Sequence, residues 1–155
     1  MKYRRRKLRE KVLQIMYAYE MNGSGLSDIV NDQLSELKTQ EDREFCTNLI
    51  NLVIANRTKI IEQIETRLLN WDVERIAIID KLLLQIGVGE LLFAKDIPPK
   101  VTINEIIEIA KEYSTANSGK FINGILDAIL LELKEKRLLN KVGRGLIDNT
   151  LGKEN

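Results

Sequence analysis

Seven of the first eleven residues, Lys2, Arg4, Arg5, Arg6, Lys7, Arg9 and Lys11, are cationic against the single carboxylate of Glu10, a local excess of +6. Cations at this density attract phosphate. If the segment is helical, Arg5 and Arg9 share a face, and Arg6 lies within about 20° of Tyr17 eleven residues on. A guanidinium row leading to an aromatic ring suits single-stranded RNA, because charges track the phosphates while the ring offers a stacking platform. The plainer alternative is a solvated terminus with a half-buried tyrosine, and the charge excess favours nucleic acid. A second candidate is "NSGKF" at 117–121. At a helix start, free backbone N–H groups bind anions. Gly119 would let a phosphate approach, Lys120 would supply charge and Phe121 could stack a base. An ordinary helix cap with Phe121 in the core fits those five residues equally well.

Other chemistries find little material. There is no histidine and one cysteine, Cys46. That composition rules out Cys-His and Ser-His-Asp catalysis and an internal disulfide, and it argues against a zinc cluster. No cofactor is expected. "GVGELL" at 87–92 lacks the third glycine, the preceding strand and the Lys-Ser/Thr pair of a phosphate loop. Acid pairs such as Glu62 with Glu65 have helix-surface spacing and no nucleophile beside them, so they read as solvated. Asp80 could meet a basic partner, although residue chemistry alone favours simple solvation. No apolar run approaches the ~18–20 residues that span a bilayer. The expectation is a reduced, cytoplasmic, soluble protein with no membrane partner.

The elements that must position these groups read as helices. Only two prolines occur, Pro98 and Pro99, and 44% of residues are hydrophobic. In the first segment Leu8, Val12, Ile15 and Tyr19 follow a helical stripe that ends at Gly23. Ser27 is the expected cap of a short second helix with Ile29, Val30, Leu34 and Leu37 on its apolar side. A long third pattern runs from about Glu41 through Phe45, Leu49, Val53, Ile60 and Ile64 to Leu68, about 40 Å if unbroken. Asp72 is a candidate cap for the next pattern, with Ile76, Ile79, Leu83 and Ile86 facing inward. That helix must stop before Ile97-Pro98-Pro99. "TINE" reads as a capping box, Thr102 at N-cap and Glu105 at N3. Asn123-Gly124 would signal a hairpin, but Ile125, Leu126, Ile129, Leu130 and Leu133 continue a helix and no third strand exists to pair with. Asn117 or Ser118 is then the cap. Gly124, unfavourable in a helix, is expected to accommodate a neighbouring backbone. After Leu139 the periodicity is lost.

Charge divides along the chain: net −8 over residues 12–133 and +3 over 134–155. Basic ends on an acidic body can meet one anionic and one cationic partner.

Taken together, "RRRKLREKVLQIMY", "WDVERIAIIDKLLL", "IPPKVTINEIIEIAKEYS" and "GKFINGILDAI" resemble, in order and from about Arg4 to Leu133, the NusB family of transcription antitermination factors. The resemblance implies an all-α fold of two three-helix subdomains sharing a core around a long central helix. The domain would cover residues 1–139, with subdomains of about 1–70 and 71–139, followed by a flexible tail at 140–155. It implies binding of boxA RNA together with the ribosomal protein NusE, in the RNA polymerase antitermination complex. RNA contacts would fall to Arg5, Arg6, Arg9, Tyr17, Lys120 and Phe121, and Asp80 would face NusE. Gln85 stands where relatives often have Arg, and Asn117 where some have Asp. The rival within the fold is the NusB-like N-terminal domain of ribosomal-RNA cytosine methyltransferases; a helical protein-interaction module is a third reading.

Overall fold

The computed structural model describes residues 4–68 and 73–146. The expected cap Asp72, Lys2 of the basic arm and the tail beyond residue 146 lie outside these residues. Seven α-helices follow in order: α1 (Arg4–Asn22), α2 (Leu26–Leu34), α3 (Gln40–Ala55), α4 (Arg57–Arg67), α5 (Ile78–Phe93), α6 (Pro99–Tyr113) and α7 (Ala116–Glu135). Single 3-10 turns occupy Val73–Arg75 and Gly143–Leu146. Among the described residues there is no strand, so "FINGIL" is helical throughout. The chain clusters into two compact units, Met1–Ala55 and Asn56–Asn155.

In the first unit α1 packs against α2 and α3. Leu8, Val12, Leu13, Ile15 and Met16 of α1 are buried, as are Cys46, Leu49, Ile50 and Val53 of α3. The spacing of Leu8, Val12 and Ile15 delivers the expected inward stripe, and Tyr19 is half-buried. Helix α1 closes at Gly23, whose N–H donates to Tyr19 O at 2.8 Å. Gly25, rather than Ser27, holds the cap position of α2. Of the predicted apolar side of α2 only Leu34 is fully buried. A helix of this length is marginal alone and depends on α1 and α3 for its stability.

The long third pattern is divided. Asn56 leaves helical geometry at φ −112° and ψ 18°, in the position that precedes α4. Asparagine favours such boundaries because its short amide competes with the backbone ladder. The apolar repeat stays in phase across the break, which is why periodicity concealed it. Thr39, overlooked in the sequence, caps α3: Asp42 N–H donates to Thr39 Oγ1 at 3.1 Å.

In the second unit α5 packs against α4, α6 and α7, and α6 against α7. Residues Leu82 to Leu91 of α5 are all buried, the pattern of a helix enclosed on every side. Gly87 explains part of "GVGELL": a Cβ there would stand 3.1 Å from Leu126 Cδ1 of α7, tighter than ordinary contact. The glycine therefore lets α5 and α7 close on each other. Helix α5 ends at Phe93, ahead of the prolines as expected.

Three expectations for this unit are corrected. Helix α6 begins at Pro99 with Pro98 at its cap, since proline suits a first turn whose N–H groups lack partners. Thr102 is consequently inside the helix, fully buried, and donates to Glu90 Oε1 of α5 at 2.7 Å. Gly124 is exposed and nothing lies within 4 Å of where its Cβ would be, so no neighbouring backbone requires it. Residues 140–146, at the start of the stretch read as a loose tail, are docked. Lys141 is buried and its Nζ donates to Glu90 O at 2.9 Å and Ala94 O at 2.6 Å, satisfying carbonyls at the end of α5. Val142 N–H donates to Lys95 O at 3.0 Å, and a Cβ on Gly145 would collide with that same oxygen.

Replacing Thr102 by Val keeps the shape and removes a buried hydrogen bond to the Glu90 carboxyl, leaving that group without it inside the core. Chemical denaturation of Thr102→Val is expected to show a loss of about 1.5–3 kcal/mol. A capping role would instead predict a small effect on the first turn of α6 alone.

Candidate nucleic-acid interface

The basic arm is the first turns of α1, and much of its charge is answered within its own unit. Arg4 pairs with Asp42 at 2.6 Å and also donates to Thr39 Oγ1 at 3.3 Å. That partnership raises the guanidinium's already high pKa, the hydrogen bond to Asp42 contributing most. Lys11 pairs with Glu36 at 2.7 Å, and Lys7 lies 3.5 Å from Glu10 with its ammonium well exposed. The excess of +6 counted along the sequence therefore overstates the charge offered to solvent.

Arg5 and Arg9 share a face, as their spacing requires, and both stack on one ring. Arg5 lies 4.7 Å and Arg9 5.4 Å from the centroid of Phe45 on α3. Arg5 is exposed on its other side. Arg9 is only 2% exposed. Its guanidinium is a packing element of the α1–α3 contact and not a solvent-facing phosphate ligand. Arg6 is half-buried. Tyr17 is 40% exposed, an unusual position for a large ring in a packed helix and one open to stacking. On an ideal helix it stands about 16 Å along the axis from Arg6. A pocket of about 140 Å³ between α1 and α3 is lined by Arg4, Arg5, Leu8, Glu41, Asp42 and Phe45.

Phe45 was read only as part of an apolar stripe. Its role under two guanidinium groups depends on residues some forty positions away and leaves no local signal. Thr39 did leave one: "TQED" has the Thr-x-x-acid spacing of a cap.

Cys46 is fully buried, with its thiol 3.6 Å from Leu8 O. Burial pushes the thiol up to about 12, so it stays protonated and is no nucleophile.

In the second unit, α7 starts two or three residues earlier than expected. Thr115 is the N-cap, accepting from Ser118 N–H at 3.0 Å. Gly119 is buried with its N–H on Thr115 O at 3.2 Å. Lys120 and Phe121 therefore belong to the second turn, and the anion site of free N–H groups expected at "NSGKF" is not formed there. Lys120 is exposed and Phe121 half-buried. They line a groove of about 350 Å³ with Gly124, Ile125 and Ala128 of α7 and Arg67 of α4. Arg67 ion-pairs with Glu132, which also holds Lys136.

Asp80 corrects another expectation. It is 6% exposed and accepts from Ser118 Oγ at 2.7 Å, while its Oδ1 is buried without a hydrogen-bond partner among the described residues. Ser118 Oγ also contacts Ser114 Oγ at 2.9 Å and Thr115 Oγ1 at 3.1 Å. Asp80 thus ties the first turn of α5 to the first turn of α7, one turn ahead of Lys120 and Phe121. Gln85, 8% exposed with its Oε1 also unpartnered, is an interior residue.

Two outcomes check this geometry. Phe45→Leu keeps an apolar side chain but removes the ring's charge-bearing face. Cation–π contacts of this kind are worth ~0.5–2 kcal/mol. Denaturant melts of Phe45→Leu, Arg5→Ala and the double variant should therefore show a coupling of that size between the two positions. Separately, Cys46 in the native protein is expected to resist a disulfide reagent at mildly alkaline pH and to react fully once denaturant is added.

Comparison with known proteins follows these features closely. The sequence profile of the NusB family matches residues 6–131. A protein of Chloroherpeton thalassium named transcription antitermination protein NusB is 44% identical over 97% of this chain and 72% of its own length. Among solved structures, NusB of T. maritima is 39% identical, with a TM-score of 0.77 over 83% of this chain and 91% of that one. A NusB solved with NusE and double-stranded RNA shares the fold, with a TM-score of 0.76 over 85% of this chain and 99% of that one at 24% identity. The chain belongs to the NusB family.

Proposed function

We propose that this protein is an RNA-binding transcription antitermination factor that takes boxA RNA of nascent transcripts together with the ribosomal protein NusE. The observation that carries the reading is the exposed surface of α1, where Arg5 is held over the ring of Phe45 and Tyr17, further along the same helix, offers an open ring. Family membership and a neighbour of the same fold solved with NusE and RNA support it. Phosphate contacts from Arg5, Arg6 and Lys120 supply affinity without reading sequence. Stacking on Tyr17 and Phe121 selects unpaired bases. Arg9 and Asp80 act from the interior: Arg9 fixes the arm on α3 through Phe45, and Asp80 fixes the start of α7 through Ser118.

The protein works as an adaptor in the bacterial cytoplasm and not as an enzyme. The described residues hold no helix long and apolar enough to cross a membrane and no cluster suited to a metal ion. Its single thiol is buried and protonated.

Binding of a boxA-type RNA, followed by fluorescence anisotropy at several salt concentrations, tests the reading. Arg6→Ala should weaken binding and flatten the slope of log K against log salt by about 0.7, the contribution of one phosphate contact on a single strand. Purified NusE should tighten binding of the wild-type protein. Unchanged affinity in Arg5→Ala, Arg6→Ala and Lys120→Ala alike would refute the reading.

A further inference from the structure

The strap that follows α7 carries a row of aliphatic side chains in water. Leu138, Val142 and Leu146 are each more than half exposed. Exposed aliphatics scattered singly are ordinary, whereas a cluster of them marks an interaction surface. The backbone beneath them is pinned. Leu138 N–H donates to Leu133 O at 2.8 Å, Val142 N–H to Lys95 O at 3.0 Å and Gly145 N–H to Val142 O at 2.9 Å. Lys141 and Gly145 are buried against the body of the unit. The exposed row is thus presented by a held strap, which lowers the entropy lost when a partner docks.

Charge says what that partner carries. Arg137 and Arg144 are exposed and form no ion pair among the described residues. Residues 136–146 contain no carboxylate. Arg137 is also held against its backbone preference. Its φ is 55°, the one positive value at a non-glycine residue among those described. It occupies the position just past the end of α7, where its N–H donates to Lys134 O and the next N–H to Leu133 O. Glycine is favoured in that turn because an L side chain is strained there. The turn itself would be better served by glycine, so the guanidinium is what an arginine adds. Guanidinium groups take carboxylates or phosphates through paired donors. Residues 137–146 hold no aromatic ring on which a base could stack, as unpaired RNA would need. Aliphatic side chains instead match the leucine-like groups of a peptide. The segment lies beyond residues 6–131 matched by the family profile, and apart from the α1 and α7 residues assigned to RNA above.

We propose that Arg137, Leu138, Val142, Arg144 and Leu146 form a docking surface for a short acidic, leucine-bearing segment of a protein partner. The aliphatic row takes the apolar side chains of that segment, and the two arginines take its carboxylates. The buried Lys141 holds the strap in place for it. A surface of this size belongs with weak, transient contacts.

The test uses the full chain and a short fluorescein-labelled peptide of leucines interspersed with glutamates, followed by anisotropy. A peptide with lysines in place of the glutamates and a single-stranded RNA serve as counter-probes. Wild type should bind the acidic peptide saturably, and more weakly as salt screens the charges. Val142→Asp sets a carboxylate in the row and should lower affinity about tenfold or more, the loss of one central contact. Arg137→Gly should weaken binding several-fold while thermal unfolding is unchanged or shifted upward, since glycine relieves the turn. A merely structural arginine would not move stability and binding in opposite directions. Arg144→Ala changes only an exposed side chain and gives the same reading should Val142→Asp fail to fold. Absence of saturable binding by wild type, equal binding of the lysine peptide, or unchanged affinity in folded Arg137→Gly and Arg144→Ala would overturn the proposal. RNA affinity or self-association that falls in these variants, while acidic-peptide binding holds, would assign the surface to nucleic acid or a second copy and overturn it as well.

Discussion

Helix α5 is surrounded by its own unit, and the consequence is electrostatic as much as hydrophobic. In a helix buried from Leu82 to Leu91, each polar group carried inward costs free energy unless it finds a partner. The partnered groups of α5 and its C-cap reach three different segments. Asp80 takes the hydroxyl of Ser118 at the start of α7, and Glu90 takes the hydroxyl of Thr102 in α6. The carbonyls of Glu90 and Ala94 take the ammonium of Lys141. Apolar burial is non-directional and sets only that these helices collapse together. The polar pairs set which turn of each meets α5, and so where Lys120 and Phe121 stand.

In the first unit, cations and an aromatic ring do comparable work. Arg5 and Arg9 on one face of Phe45 join the basic arm to α3, while Arg4 and Lys11 reach Asp42 and Glu36. A guanidinium is well suited to both tasks, since its flat face stacks while its edge keeps donors for an anion. On the proposed reading, the arm is partly assembled before RNA arrives. Fixing flexible arginines in advance lowers the entropy lost on binding.

Much of this was legible in the sequence, and what was not has physical causes. Helix content, the α1 stripe, the Pro98-Pro99 stop and the helical reading of "FINGIL" follow from local propensity and spacing, which act within one or two turns. The break at Asn56 was hidden because the apolar repeat crosses it in phase. Thr102 fitted a cap motif, but Pro98 and Pro99 start the helix a turn sooner, and the threonine is claimed by a carboxylate twelve residues earlier. Lys141 looked like tail composition because its acceptors lie at the end of α5. The burial of Arg9 and Asp80 depends on Phe45 and Ser118, contacts that no local window contains. Gly124 was correctly singled out as a helix residue needing a reason, and the reason given was wrong.

The docked segment after Leu139 changes what counts as expendable in this chain. Because the Lys141 ammonium supplies hydrogens to the last turn of α5, shortening the protein to residue 139 would strip a cap from its most enclosed helix, although the lost residues look like filler. The shape of Gly145 against Lys95 O adds that even a lengthwise slip of this strap by one position would be obstructed by a side chain. Designers trimming the protein for crystallisation or fusion should cut beyond Leu146.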